Sequence, residues 1–231
     1  MKQLPIILIA AAAATAGIAA VAISQTPPSA TPAPAAVEPS SAQPAADPHA
    51  AHKAAAAVAP AAQPKTANTN VVLSEASLTD QTGRTARLAS DFLKDRVVVF
   101  DFIFTTCTTI CPVSTTLLAA TKEKLAGVDP EKYVFVSVSI DPNTDTPERM
   151  AHFAEQRGAD WTFLTGPKHT IDKVLKDLGS YSTNPSDHSA MLVIGDASTG
   201  EFIRAFGLPN PEFVATEVRN RVDARDHQHH H

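Results

Sequence analysis

Apolar and polar residues follow two different patterns along the chain, and the change falls near residue 70. Beyond it, two long apolar runs, 96–104 and 132–140, stand between stretches rich in turn-forming residues. Nearly continuous apolar runs are typical of strands buried on both faces of a parallel sheet. We therefore predict that these two runs form central strands of one sheet.

Helix signals separate the predicted strands. Pro112 comes directly after Cys111, and a proline is well tolerated in the first turn of a helix, because its missing N–H has no helical partner there. Thr146 and Pro147 suit an N-cap and a first helical position, and Gly179 suits a helix end. The predicted helices are 113–125, 146–158, 170–178 and 211–222.

The remaining predicted strands are shorter. Residues 71–87 contain β-type runs around a turn at 80–83, which predicts an opening hairpin, and two further strands, 190–196 and 201–206, flank a turn at 198–200. Strands and helices thus alternate along most of this part of the chain. The sequence predicts an α/β fold with a central mixed sheet flanked by helices and an N-terminal hairpin.

The first residues form an export signal of one of two kinds. Residues 4–23 are uncharged and mainly apolar, and at about 1.5 Å per residue they can cross a bilayer. The stretch 20–22 also suits a signal-peptide cleavage site, so 1–23 is a membrane anchor or a signal peptide. Lys2 precedes the run and the next basic residue is Lys53, so the positive-inside rule places the remainder of the chain outside the cytoplasm. We expect a domain anchored at the periplasmic face of the inner membrane or, after cleavage, soluble in the periplasm.

Composition separates a tail from a domain. Nine of the 18 prolines lie between Pro27 and Pro64, a stretch without Phe, Trp or Tyr. Such a stretch buries too little apolar surface to offset the entropy lost on ordering. We predict a flexible Ala/Pro-rich linker at 24–69, a single domain at 70–225, and a His-rich tail at 226–231 that is either native or an expression tag.

Charge and cysteine content restrict the classes of function that the chain can have. The net charge is −5 and no basic run occurs in the predicted domain, which argues against nucleic-acid binding. The only two cysteines, Cys107 and Cys111, are four positions apart, whereas scaffold disulfides join distant segments. They come after the first central strand, at the sheet edge where α/β ligand sites gather. The pair therefore predicts a functional site.

The chemistry open to these thiols is redox exchange or metal binding. A thiol at a helix N-terminus is stabilised as thiolate by the helix dipole and by free N–H groups, and both uses need thiolates. Two sulfurs at this spacing can form a disulfide or hold one ion. His188, directly before the strand 190–196, can face the cysteine loop if the strands are neighbours. A structural zinc site normally needs four ligands, and only three stand out.

Three motifs follow one another along the chain: 104–112 (FTTCTTICP), 136–148 (VSVSIDPNTDTPE) and 187–189 (DHS). Together they resemble the Sco/SenC family of thioredoxin-fold copper chaperones for cytochrome c oxidase, which are held in membranes by an N-terminal helix. The resemblance covers about residues 70–222 and implies that Cys107, Cys111 and His188 bind copper, as Cu(I) or Cu(II). It also implies a copper-accepting membrane oxidase subunit as partner, whose binuclear centre receives copper or has its cysteines reduced.

Two functions are compatible with this set of residues. In the first, the protein is a copper metallochaperone, since soft thiolates favour Cu(I) and an imidazole lets the site tolerate Cu(II). In the second, it is a thiol–disulfide oxidoreductase or redox sensor, in which Cys107 attacks a partner disulfide and Cys111 resolves it. Copper binding needs His188 and thiol exchange does not. We expect a monomer in either case.

Overall fold

The computed structural model describes residues 63–229. The predicted anchor or signal peptide, most of the predicted linker and the last two residues of the His-rich tail lie outside the described residues. No helix within residues 63–229 is long and apolar enough to cross a membrane.

Strands and helices alternate along the described chain, as predicted. A short π-helical turn, Leu88–Leu93, precedes the first central strand. Within residues 63–229 the strands are β1 (Lys65–Asn70), β2 (Ser77–Asp80), β3 (Thr85–Arg87), β4 (Val97–Ile103), β5 (Tyr133–Ser139), β6 (Thr162–Thr165), β7 (Met191–Asp196) and β8 (Glu201–Phe206), and the α-helices are α1 (Ile110–Lys124), α2 (Pro147–Glu155), α3 (Lys168–Leu178) and α4 (Pro211–His229).

All eight of these strands join one mixed sheet in the order β1-β8-β7-β4-β5-β6-β2-β3. β4, β5 and β6 are parallel, whereas β7 and β8 continue the sheet in antiparallel pairing. The hairpin β2–β3 adds to β6 at the far edge. The predicted α/β class and mixed sheet are therefore confirmed.

The central strand β4 separates two apolar cores. Val97, Val99 and Ile103 pack into the core that also contains residues of α1 and α4. Val98 and Phe100 pack into the other core, with residues of α3 and the π-helical turn. Because helices cover both faces of the sheet, the strand is apolar at nearly every position rather than at alternate ones.

Several parts of the fold differ from the sequence prediction. Residues 65–69, predicted as linker, and Asn70 form β1, which pairs with β8 from Lys65 opposite Phe206 to Asn70 opposite Glu201. This strand thus begins within the segment predicted as linker, because main-chain hydrogen bonds to an open sheet edge do not require apolar side chains. β6 was missed because a four-residue strand between two helices carries too little pattern. α4 continues beyond residue 222 to His229.

The fold places the end of β4 and the start of β7 side by side, at the edge of the sheet where the parallel strands end. β4 ends there at Ile103, whose carbonyl accepts a 2.9 Å hydrogen bond from the N–H of Ile140 after β5. β7 runs antiparallel to β4, so it begins at this same edge, directly after the segment that carries His188. This edge is where the sequence places the cysteine pair.

Candidate metal centre

A tight turn links β4 to α1 and carries the first cysteine. The N–H of Cys107 donates to the carbonyl of Phe104, at 3.1 Å. Helix α1 begins at Ile110, three residues before the predicted start, so Cys111 and Pro112 both lie in its first turn. Cys107 therefore lies just before the helix and Cys111 just inside it.

The two thiols lie together at the start of the helix. The N–H of Cys111 donates to Sγ of Cys107 at 3.4 Å, and Thr109 Oγ1 lies 3.8 Å from the same sulfur. Both cysteines are free, and they are 6% and 1% exposed, respectively. The expected stabilisation of a thiol by a helix N-terminus is therefore present at Cys107.

The environment makes the two thiols unequal. Burial by itself would raise the pKa of Cys107, but hydrogen bonds from the Cys111 thiol, the Cys111 N–H and Thr109 lower this pKa from 9.0 to about 7. Burial raises the pKa of the Cys111 thiol far above its usual range, and its hydrogen bond to Cys107 raises it further. Cys107 is therefore the thiol that ionises first, to about half near pH 7, and Cys111 stays protonated and donates to it.

A buried carboxyl group lies beneath the pair. Asp101 of β4 accepts a 2.7 Å hydrogen bond from Ser114 Oγ of α1. Burial raises the pKa of Asp101 to about 7, although the bond from Ser114 opposes the rise. The charge of Asp101 contributes to the raised pKa of Cys111. The prediction of site residues missed Asp101, whose signal in the sequence is an aspartate within an apolar strand.

His188 lies at the same edge but apart from the thiols. It comes directly after a short 3-10 turn, Pro185–Asp187, and its ring meets the ring of Phe102 of β4 edge-on, with centroids 6.0 Å apart. Burial lowers the pKa of His188, so the imidazole is neutral at pH 7 and able to bind a metal. Within residues 63–229, however, no three His, Cys, Asp or Glu side chains are grouped closely enough to hold one ion.

The chemistry of this arrangement is that of a dithiol with a neutral imidazole at the same edge of the sheet but apart from it. Two sulfurs and one nitrogen suit a soft, low-coordinate ion such as Cu(I). The unequal thiols also suit disulfide exchange, in which a thiolate attacks and a second thiol resolves. Fold and site together define a thioredoxin-like dithiol domain.

The chain belongs to the SCO1/SenC family, whose family model matches residues 64–222. The SCO1 protein homolog of Bacillus subtilis is 37% identical over 90 residues, which cover 38% of this chain and 45% of that protein. The matched stretch is thus about half the length of that relative.

Two solved structures have the same fold. BsSco, described as a member of the Sco family of cytochrome c oxidase assembly proteins with a disulfide switch, is 24% identical with a TM-score of 0.57. The match covers 68% of this chain and 96% of BsSco. ScoI of Bradyrhizobium japonicum with copper bound is 24% identical with a TM-score of 0.53, and the match covers 69% of this chain and 99% of ScoI. At these identities the likeness establishes the thioredoxin-like fold.

Proposed function

We propose that this protein is a copper metallochaperone in which Cys107, Cys111 and His188 hold a single copper ion. The ion is delivered to the binuclear copper centre of a membrane-bound cytochrome c oxidase subunit. The observation that carries this proposal is the pair of adjacent free thiols at the start of α1, one of them with its pKa lowered to about 7. A thiolate is available there without strong base, as a soft metal ion requires.

Family relationships support copper as the cargo. The chain is a SCO1/SenC protein, and a structure with the same fold contains bound copper. Another is described as belonging to the oxidase assembly proteins. The donor set also supports copper as the cargo, since thiolates favour Cu(I) over harder ions and the imidazole adds a ligand that Cu(II) accepts.

His188 joins the site by movement of its own segment. The loop that ends at His188 lies at the same sheet edge as the thiols, but the imidazole does not group with them. A shift of this loop would be needed to bring the neutral ring to an ion held by Cys107 and Cys111. Copper binding would thus close the site by adding the histidine to a dithiol that is already in place.

The N-terminal sequence supports a location at the membrane. An apolar run at 4–23 preceded by Lys2 would tether a monomeric domain to the periplasmic face of the inner membrane, or export it as a soluble protein after cleavage. A tethered domain on a Pro-rich linker could reach an acceptor that stands in the same membrane.

Anaerobic Cu(I) titration of the reduced protein, combined with X-ray absorption, tests the ligand set. We expect one ion bound by two sulfurs and one nitrogen, and in His188→Ala two sulfurs without the nitrogen and a weaker affinity. Cu(II) binding should suffer more in this variant, because Cu(II) depends more on nitrogen donors. The matched control replaces His227, His229, His230 and His231 with alanine. A first shell without sulfur in this control would refute the proposal.

The unequal pKa values of the two thiols favour a second candidate, disulfide reduction. The Cys107 thiolate attacks a partner disulfide and releases one partner thiol. Cys111 then attacks Cys107 in the mixed disulfide, which releases the second partner thiol and leaves the protein disulfide. His188→Ala should reduce a model disulfide at nearly the wild-type rate. If cells carrying this variant assemble the oxidase normally while Cys107→Ser cells do not, thiol exchange is the main role and the chaperone proposal fails.

A further inference from the structure

We propose that Asp145 is a positioning residue for the dithiol, which fixes the turn that places Cys107. The inference rests on the proposed function only in that this turn carries two of the candidate copper ligands. It also gives a structural role to the motif 136–148, whose importance was indicated above only by its resemblance to the family.

The carboxylate of Asp145 binds the turn directly. One of its oxygens, Oδ1, accepts a 2.9 Å hydrogen bond from the N–H of Thr105 and a 2.6 Å bond from the Thr105 hydroxyl. Thr105 is the second residue of the turn that the Cys107 N–H closes onto the Phe104 carbonyl. Asp145 therefore restrains the backbone two residues before the first cysteine.

The other contacts of Asp145 attach it to the rest of the fold. Its second oxygen, Oδ2, accepts a 2.6 Å hydrogen bond from Ser139 Oγ at the end of β5, and its carbonyl accepts one of 2.8 Å from Thr165 Oγ1 of β6. Arg149 of α2 donates to the Thr105 hydroxyl at 3.2 Å. The turn is thereby connected to two strands and one helix distant in sequence.

The turn that Asp145 restrains forms backbone hydrogen bonds with both cysteines. Cys107 donates its own N–H to Phe104, and the backbone of Phe104 forms a hydrogen bond with the Cys111 thiol that favours its thiolate. A shift of the turn therefore changes the separation and the environment of both sulfurs. Metal ligands held by a second layer of hydrogen bonds commonly lose 10–100-fold in affinity when that layer is removed.

Burial of the Asp145 carboxylate costs desolvation free energy, which its hydrogen bonds must offset. Asp145 is 1% exposed, and burial raises its pKa, while hydrogen bonds from Ser139 and Thr105 oppose the rise. A surface polar residue would hold a simple loop turn without this desolvation. The buried anchor instead restrains the turn from the interior of the sheet edge.

The chain contains a matched control at the opposite end of the sheet. Asp196 of β7 is 6% exposed, and its Oδ1 accepts from the N–H of Ser198 at 2.8 Å and from the Ser198 hydroxyl at 2.6 Å. It thus holds a turn by the same two kinds of bond as Asp145. Asp196 stands opposite Val97, at the start of β4, whereas the thiols lie beyond the end of β4.

The test measures the equilibrium between the Cys107–Cys111 dithiol and glutathione in the full-length protein. One oxidised glutathione and the dithiol give the protein disulfide and two reduced glutathione molecules. In Asp145→Asn we expect the equilibrium constant for disulfide formation to fall about tenfold, equivalent to about 30 mV, because the released turn holds the sulfurs together less well. Cu(I) affinity should fall by about 10–100-fold.

The comparison variants separate positioning from general stability. Asp196→Asn should lower the melting temperature and leave the glutathione equilibrium at the wild-type value. Thr105→Val, which lacks the hydroxyl, should shift the equilibrium in the direction of Asp145→Asn, and Thr105→Ser, which keeps it, should restore the wild-type value.

A glutathione equilibrium unchanged in Asp145→Asn, with only the melting temperature lowered, would overturn the inference. If Asp145→Asn does not fold, equal values for Thr105→Val and Thr105→Ser would also overturn it, and the expected difference would support it. If the wild-type protein binds no Cu(I), the proposed function fails, but the glutathione measurement still decides the role of Asp145.

Discussion

The two loops that carry the candidate ligands are built differently. The cysteine loop is attached to distant parts of the fold, because Thr105 binds Asp145, 40 positions away, and accepts from Arg149, 44 positions away. The loop that ends at His188 is bonded mainly to itself, through hydrogen bonds of Ser186 and Asp187 to Asn184 and of His188 to Pro185. Its ring contact with Phe102 links it to the sheet.

This difference assigns separate tasks to the two loops. Long-range hydrogen bonds at Thr105 hold the turn that carries the dithiol, so we expect this turn to keep its geometry whether or not a metal ion is bound. A locally bonded histidine loop can move at small cost, because few contacts with the rest of the fold must break. The proposed ligand set would therefore be part fixed and part adaptable.

The largest effect should come from removing the fixed part. Oxidation of Cys107 and Cys111 to a disulfide should abolish Cu(I) binding, because a disulfide offers no thiolate. Equilibrium dialysis of the reduced and oxidised forms measures this, with the terminal histidines replaced in both. Equal copper retention by the two forms would place the metal at other residues.

The second-largest effect should come from the difference in pKa between the two thiols, which makes their reactivities different. At pH 7, Cys111→Ser, which retains Cys107, should react with iodoacetamide at least about tenfold faster than Cys107→Ser, because reactivity depends on the thiolate fraction. The rate for Cys111→Ser should rise with pH, although the lost hydrogen bond from Cys111 moves the midpoint above the value of about 7 that Cys107 has in the intact pair. Equal rates at pH 7 would show that the first turn of α1 does not distinguish the thiols.

A buried charge beneath the fixed loop should limit stability at alkaline pH. The pKa of Asp101 is raised from 3.8 to about 7, so between pH 4 and 7 the folded state binds more protons than the unfolded state. The free energy of unfolding therefore falls as the pH rises through this window. Asp101→Asn avoids this loss and should be more stable at pH 8, by a few kcal/mol at most.

Chemical denaturation of the wild type and Asp101→Asn at pH 4 and pH 8 measures this effect. The advantage of the variant should be present at pH 8 and largely absent at pH 4, where the wild-type carboxyl is already protonated. A variant that is less stable than the wild type at pH 8 would show that the ionised carboxylate is stabilising.

The smallest effect should come from the adaptable loop. His188→Ala removes a half-buried ring and its contact with Phe102, which is worth about 1 kcal/mol, so the melting temperature should change little. Amide hydrogen exchange should be faster for residues 182–188 than for 104–111, and copper should slow exchange in the first segment more than in the second. Equal protection of both segments without copper would contradict the contrast between the loops.

Much of the fold was determined by local sequence patterns. The strands β4 and β5 could be predicted because both of their faces are buried, which makes their sequences almost continuously apolar. Pro147 marks the start of one helix and Gly179 the end of another, through backbone geometry that each residue imposes by itself. The position of the dithiol at a strand–helix junction comes from the same local signals. The Sco/SenC resemblance, carried by three short motifs, was confirmed by the family match.

Tertiary structure decided what depends on partners far away in the chain. The polar segment 65–70 becomes a strand only because β8 offers an open edge, and Asp145 becomes an anchor only because folding brings Thr105 to it. The different pKa values of Cys107 and Cys111 arise from burial and hydrogen bonds that no spacing of residues encodes. Residue types and local order thus determined which groups are available, and long-range packing decided which of them meet, because contact between distant segments depends on the whole fold.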